Sequence, residues 1–100
     1  MTTPVSLLVI DADEANRNFL AQLLHKKNYQ VRQASSGEEG IRMVREAAPS
    51  MVIFDTGLPD LRATDLIERL QHIPEVANVP CVVLTSHPDA DKRWVLTALP

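Results

Sequence analysis

Short apolar segments alternate with amphipathic segments along the whole chain. Residues 5–10 are apolar with almost no alternation, which is typical of a strand covered on both faces. Residues 29–34 are more polar and predict a strand at a sheet edge. Residues 51–54 and 79–84 are again apolar and predict two further buried strands. The pattern therefore predicts four short strands.

The segments between these strands have the spacing of helices. In the first, Asn16 and the apolar residues Phe19, Leu20, Leu23 and Leu24 recur at helical spacing and predict the inward face. The second segment begins with Ser36-Gly37-Glu38-Glu39, which has the form of a capping box. A third helix is predicted from about Ala63, and a fourth from Asp89 to Leu99.

Strands that alternate with helices predict a single α/β domain over residues 1–100, in which right-handed crossovers build a doubly wound parallel sheet. Composition supports a folded chain, since 45% of residues are hydrophobic and 23% are charged.

The formal net charge of −3 argues against nucleic-acid binding by this domain. The lone Cys81 fits a reducing compartment. No apolar run reaches the roughly 18 residues of a membrane span and no positively charged leader is visible, so a cytoplasmic location is expected.

Polar residues end three of the predicted strands, where an open parallel sheet binds its ligands. Asp11 follows the first strand, Asp55 the third, and Thr85 the fourth. If the first and third strands are neighbours, the two carboxylates come close and repel each other by a few kcal/mol at about 4 Å, for an effective dielectric constant of 20. A hard cation such as Mg²⁺ turns that repulsion into a binding site, and helix N-termini around the pocket favour a phosphate.

Three segments resemble the signatures of bacterial two-component response-regulator receiver domains, the CheY-like family. They are Leu8-Val9-Ile10-Asp11, Phe54-Asp55-Thr56-Gly57-Leu58-Pro59 and Val83-Leu84-Thr85-Ser86. The resemblance implies a flavodoxin-like sheet with strand order 2-1-3-4. It implies a phosphorelay domain, not a metabolic enzyme, in which Asp55 accepts a phosphoryl group from a sensor histidine kinase or phosphotransfer protein. Asp11, Asp55 and the carbonyl of Gly57 are then the Mg²⁺ ligands, and Thr85 is the hydroxyl that moves onto the phosphoryl group. An output domain or protein would receive the signal.

The chain departs from this family at two places. The family usually has a second acid after the first strand, where this chain has Ala12, so the resemblance implies that Mg²⁺ binding is weakened or absent. Whether Asp13 replaces that ligand is left open. Only 15 residues follow Thr85, too few for the family's fifth strand and fifth helix, which carry its lysine and its aromatic switch residue. The fourth strand is then an unpaired edge, which predicts self-association through it.

Two other functions remain open at this point. Ala12 favours a pseudo-receiver that acts by constitutive protein contacts without phosphorylation. A remote alternative is a phosphatase of the haloacid-dehalogenase type, because Asp11-Ala12-Asp13 also resembles its D-x-D motif. Asp11 would then be the nucleophile and Asp13 the general acid.

Overall fold

The computed structural model describes residues 4–85 and 93–97. These residues form five strands and three helices. In chain order they are β1 (Ser6–Ile10), α1 (Glu14–Lys26), β2 (Gln30–Ala34), α2 (Gly37–Glu46), β3 (Met51–Asp55), α3 (Ala63–Gln71), β4 (Cys81–Thr85) and β5 (Arg93–Thr97).

The strands form one sheet in the order β2-β1-β3-β4-β5. The first four are parallel, which confirms the predicted order 2-1-3-4 and the edge position of β2. Because β1 lies between β2 and β3, Ile10 is aligned with Ala34 on one side and with Phe54 on the other. This register fixes which strand-end residues become neighbours at the carboxyl edge.

The fourth helix predicted over residues 89–99 is wrong for the part that the structure describes. Residues 93–97 form β5, which pairs with β4 in the antiparallel direction and places Val95 opposite Val83. The other positions of that predicted helix lie outside the described residues. Trp94, Val95 and Thr97 are residue types that favour strands, and their pairing satisfies backbone groups of β4. The prediction that β4 is an unpaired edge is therefore also wrong, and self-association through it loses its basis.

Side chains from alternate positions of the strands form a core on each face of the sheet. The larger cluster, under α2 and α3, contains Leu8, Ile10, Val52 and Phe54, all at most 1% exposed. On the opposite face, Val9, Ile53 and Val82 form a smaller cluster. The central strands are thus buried on both sides, as their unbroken apolar sequence predicts.

Helix α1 contacts the sheet through a different stripe from the one predicted. Ala21 is its buried residue, and Leu20 and Leu24 are half-buried against the smaller cluster. Phe19 is 71% exposed, Leu23 is 46% exposed and Asn16 is also exposed, so the prediction that these three face inward is wrong. The apolar residues of α1 cover a wider arc than one sheet face can bury, and the small side chain of Ala21 takes the position closest to the sheet.

The N-terminus of α2 is held by side chains from two parts of the chain. The predicted cap is confirmed, since the Ser36 hydroxyl accepts a hydrogen bond from the Glu39 N–H at 3.2 Å. The Asp60 carboxylate, which lies in the loop after β3, accepts hydrogen bonds from the N–H groups of Gly37 and Glu38, both at 2.9 Å. Three N–H groups that have no partner within the helix are therefore satisfied, and the loop is tied to α2.

Asp60→Asn is expected to lower the free energy of unfolding by about 0.5–2 kcal/mol, as loss of a helix cap does. The amide keeps one acceptor atom but loses the charge and one of the two hydrogen bonds. The hydrogen bond from the Glu38 N–H, with that from Gly37, lowers the pKa of Asp60 below its ordinary value of 3.8. Its contribution is therefore present above pH 3.8 and is lost as the pH falls through the folded-state pKa.

Urea unfolding at pH 7 and in acid checks both statements. The difference between the native chain and Asp60→Asn is expected to shrink in acid, while the exposed Glu75→Gln serves as a control with little effect at either pH. A difference that does not depend on pH would contradict the role of the carboxylate charge.

Candidate functional site

The acid that ends β1 is buried at the carboxyl edge of the sheet. Among the described residues, Asp11 is the one charged residue that is buried, with 6% of it exposed. Its backbone N–H continues the sheet by donating to the Ala34 carbonyl at 3.0 Å. Its Oδ1 accepts a hydrogen bond from the Asp13 N–H at 2.9 Å, which holds the carboxylate inside the turn after the strand.

The register brings the acid that ends β3 next to Asp11. Ile10 and Phe54 are aligned on neighbouring strands, so Asp11 and Asp55 occupy the next positions on those two strands. Burial raises the pKa of Asp11 above its ordinary value, the negative charges of Asp55 and Asp13 add to this, and the Asp13 N–H opposes it. The two strand-end carboxylates therefore interact through space, as the sequence predicts.

Asp55 is half-buried, and one of its oxygens is engaged by the chain itself. Oδ1 accepts a hydrogen bond from the Gly57 N–H at 2.7 Å, and no described residue donates to Oδ2. A Cβ at position 57 would lie 3.3 Å from Oδ1, so a side chain there would press on the carboxylate. A glycine two residues after Asp55 thus allows the loop to fold back tightly on it.

Thr85 is the last residue of β4, on the other side of β3. Leu84, the residue before Thr85, is aligned with Asp55 on β3. The Thr56 N–H donates to the Leu84 carbonyl at 3.0 Å. The backbone therefore places Thr85 at the same edge as Asp55 and Asp11. All three predicted strand-end residues meet at one edge of the sheet.

The two residues after Asp11 do not supply a third acid to this edge. Ala12 is exposed, and the exposed Asp13 caps α1, because its Oδ1 accepts a hydrogen bond from the Asn16 N–H at 3.0 Å. Within the part of the chain that the structure describes, no three His, Cys, Asp or Glu side chains form a metal-binding group. The donors present are two carboxylates and nearby backbone carbonyls. Oxygen donors of these types are the ligands that Mg²⁺ prefers. The two carboxylates carry less negative charge than a site with three acids.

Two residues near the site were not identified as site residues from the sequence. The Arg17 Nη1 donates to the Asp11 carbonyl oxygen at 2.8 Å, and its Nε donates to the Gln33 Oε1 at 3.2 Å. The helical spacing instead predicts that Arg17 faces away from the sheet. The position of Arg17, six residues after the strand-end Asp11, is a sequence signal that could have identified it as a site residue. Its partner Gln33 lies 16 residues away, and only strand pairing brings the two side chains together.

Comparisons with known proteins agree on one class. A family model described as the response regulator receiver domain matches residues 7–98. The hybrid signal transduction histidine kinase D of Dictyostelium discoideum is 34% identical over 90 residues, which cover 90% of this chain and 6% of that protein. The transcriptional regulatory protein AfsQ1 of Streptomyces coelicolor is 31% identical over 84 residues, covering 84% of this chain and 36% of that protein.

Solved structures share the same fold. The chemotaxis response regulator CheY4 of Vibrio cholerae superposes with a TM-score of 0.82 at 20% identity, over 87% of this chain and 72% of that one. A putative response regulator from Chloroflexus aurantiacus superposes with a TM-score of 0.81 at 31% identity, over 87% and 71% of the two chains. The first likeness shows the fold, and the second adds sequence similarity to it.

The sheet order and the structural likeness define a flavodoxin-like fold, and the family model places the chain in the class of receiver domains of two-component phosphorelay signalling. The chain belongs to the response regulator receiver domain family. It spans 6% and 36% of the two curated relatives described above. No helix among the described residues is long and apolar enough to cross a membrane.

Proposed function

We propose that Asp55 accepts a phosphoryl group from the phosphohistidine of a sensor histidine kinase or phosphotransfer protein. A carboxylate oxygen of Asp55 attacks phosphorus, the bond from phosphorus to the imidazole nitrogen breaks, and the histidine leaves with its electron pair. The product is an aspartyl phosphate. The observation that carries the proposal is a half-exposed carboxylate at a strand end, beside the buried carboxylate of Asp11.

The loop after β3 prepares Asp55 for this attack. The hydrogen bond from the Gly57 N–H holds Oδ1, which leaves Oδ2 as the nucleophile. The Asp60 carboxylate fixes the far end of the same loop on α2. A nucleophile held in one orientation needs less reorganisation when the donor arrives, and positioning is the main source of catalysis in phosphoryl transfer.

Negative charge at this edge is the chief obstacle to the reaction. Receiver domains of this family bind Mg²⁺ for phosphorylation, and here Asp11, Asp55 and the Gly57 carbonyl are the groups that would hold it. When bound, the ion neutralises charge between the carboxylates and the incoming phosphoryl group. With Ala12 in place of a second acid, we propose that this binding is weak. The Thr85 hydroxyl is proposed to move onto the phosphoryl group and so report its presence.

A pseudo-receiver is the second candidate function, and Ala12 together with the two-carboxylate site favours it. Such a domain would signal through constitutive contacts and would not be phosphorylated.

In either case the domain acts as a signalling module, with an output domain or protein as its partner, and we propose that it turns over no metabolic substrate. We further propose that it acts in the cytoplasm, where histidine kinases present their phosphohistidine. The phosphatase alternative loses support, because Asp13, its general acid, caps α1.

Incubation with acetyl phosphate and Mg²⁺, followed by intact-mass spectrometry, tests the proposal. We expect an adduct of one phosphoryl group, lost when the protein is treated with hydroxylamine and absent from Asp55→Asn. Asp65→Asn, which changes an exposed acid on α3, is the matched control and should still form the adduct. An unmodified native chain at high Mg²⁺ would favour the pseudo-receiver.

A further inference from the structure

The guanidinium group of Arg17 connects three elements at the carboxyl edge of the sheet. Arg17 lies on α1, its Nη1 donates to the backbone carbonyl of Asp11 after β1, and its Nε donates to the side chain of Gln33 on β2. Arg17 and Gln33 are both half-buried, so these hydrogen bonds are partly shielded from water. The position of the side chain is thus fixed by two partners, one directly after β1 and one on β2.

The Asp11 carbonyl is the partner that matters for the site. The Asp11 N–H still pairs with the Ala34 carbonyl, but the aligned pairs of β1 and β2 end at Ile10 and Ala34. Among the described residues, the hydrogen bond to the Asp11 carbonyl comes from Arg17. A buried carbonyl without a partner is unfavourable, so this side chain replaces the next bond of the sheet. The carbonyl and the carboxylate belong to the same residue, and fixing one restricts the direction of the other.

We propose that Arg17 is a positioning residue for the acceptor site: it holds Asp11 so that its carboxylate faces Asp55. This inference rests on the proposed function of Asp55. Gln33 is the anchor of the arrangement, because the pairing of β2 with β1 aligns it with Val9, two residues before Asp11, and so fixes its backbone near the carboxyl end of β1. Arg17 touches no reacting atom and acts through Asp11.

The arrangement requires arginine, not just a positive charge. Nη1 and Nε are two donors on one rigid plane, and they donate to acceptors in different segments, the Asp11 carbonyl after β1 and the Gln33 side chain on β2. A lysine ammonium at this position keeps the charge but lacks the planar pair of donors. The two properties of Arg17, charge and geometry, can therefore be separated by substitution.

Phosphorylation rates of a small set of variants provide the first test, with acetyl phosphate at saturating Mg²⁺. We expect Arg17→Met to lower the rate about ten- to a hundredfold, the range seen when a residue that orients a functional ligand is lost. Arg17→Lys should restore only a small part of this loss. Gln33→Met, which keeps the charge and the bond to Asp11, should have a smaller effect than Arg17→Met. Arg42→Met removes an exposed arginine of α2 and should match the native chain.

Two results would overturn the proposal. A rate for Arg17→Met within about twofold of the native rate would show that Asp11 needs no such support, and full rescue by lysine would show that charge alone matters. Urea unfolding of each variant establishes that it is folded at the assay temperature. If Arg17→Met does not fold, Arg17→Lys and Gln33→Met decide the question.

Hydrogen exchange provides a second test that does not depend on phosphorylation. The Asp13 N–H donates to the Asp11 carboxylate, so its exchange reports the orientation of that carboxylate. We expect it to exchange at least about tenfold faster in Arg17→Met, while the Val9 N–H inside β1 keeps its native rate. An unchanged Asp13 N–H would overturn the proposal. A faster one in a protein that forms no adduct would retain Arg17 as the residue that orients Asp11 and would reject Asp55 as the acceptor.

Discussion

Ala12→Asp is expected to strengthen Mg²⁺ binding about ten- to a hundredfold, which corresponds to about 1.4–2.8 kcal/mol. The substitution places a third carboxylate beside Asp11 and Asp55, at a position that is exposed and needs no burial of the new charge. Unit charges at 4 Å interact by about 4 kcal/mol at an effective dielectric constant of 20, and part of this is lost to dehydration of the ion. Isothermal titration with MgCl₂ measures the change directly.

The same substitution should make stability depend more strongly on the metal. In EDTA, three neighbouring carboxylates repel one another, so Ala12→Asp is expected to unfold at a lower temperature than the native chain. Mg²⁺ should more than reverse this, because an ion that binds the folded state stabilises it. Thermal unfolding with and without Mg²⁺ checks this statement.

Ala15→Asp is the matched control for this experiment. It introduces the same side chain at an exposed position in the first turn of α1, close in sequence but away from the strand ends. If the two variants bind Mg²⁺ with equal affinity, the absence of an acid at position 12 is not what limits the Mg²⁺ affinity of the site. The explanation of weak binding given above would then be wrong.

Phe54→Ala is expected to lower the free energy of unfolding by about 3–5 kcal/mol, the range for removing a buried aromatic side chain. Phe54 is fully buried in the larger core cluster, between Ile10 and Val83 on the neighbouring strands. Because small domains are stable by only about 5–15 kcal/mol, this loss is a large fraction of the total. Urea unfolding followed by circular dichroism measures it.

Phe19→Ala provides the matched control, since it is the same chemical change at a position that is 71% exposed. Its expected cost is within about 0.5 kcal/mol, as for most surface substitutions. A cost close to that of Phe54→Ala would mean that α1 faces the sheet with Phe19, as its helical spacing predicts, and would contradict the observed orientation. The pair of variants therefore tests the core and the orientation of α1 together.

Much of the candidate site could be predicted because it depends on local features of the chain. Asp11 and Asp55 each mark the end of an apolar strand. The carboxyl ends of parallel strands lie at a common edge of the sheet, which brings such residues together. The cap of α2 by Ser36 was also predictable, since its donor lies only three residues away. Each of these predictions used a signal within a few residues and one general rule about sheets.

The predictions that failed concern segments whose local sequence is compatible with two structures, so that contacts with the rest of the chain decide between them. The residues of β5 have helical spacing as well as strand-forming side chains, and their pairing with β4 decides for the strand. In α1, Phe19 and Leu20 are both apolar, and only the packing against the sheet shows that Leu20 is the one that contacts the core. Local sequence is compatible with either outcome in both cases.

The amino-acid sequence by itself determined the first four strands and the acids at the ends of β1 and β3, because apolar runs and the residues that end them are local properties. The order of the four parallel strands came from the resemblance to receiver domains, since no local pattern specifies which strands are neighbours. Only the tertiary structure decided that Asp60 holds the start of α2 and that Arg17 joins Asp11 to Gln33. These two arrangements join residues up to 23 positions apart. Hydrogen bonds of this kind require atoms within about 3 Å, and strand pairing and helix packing decide which distant groups come that close.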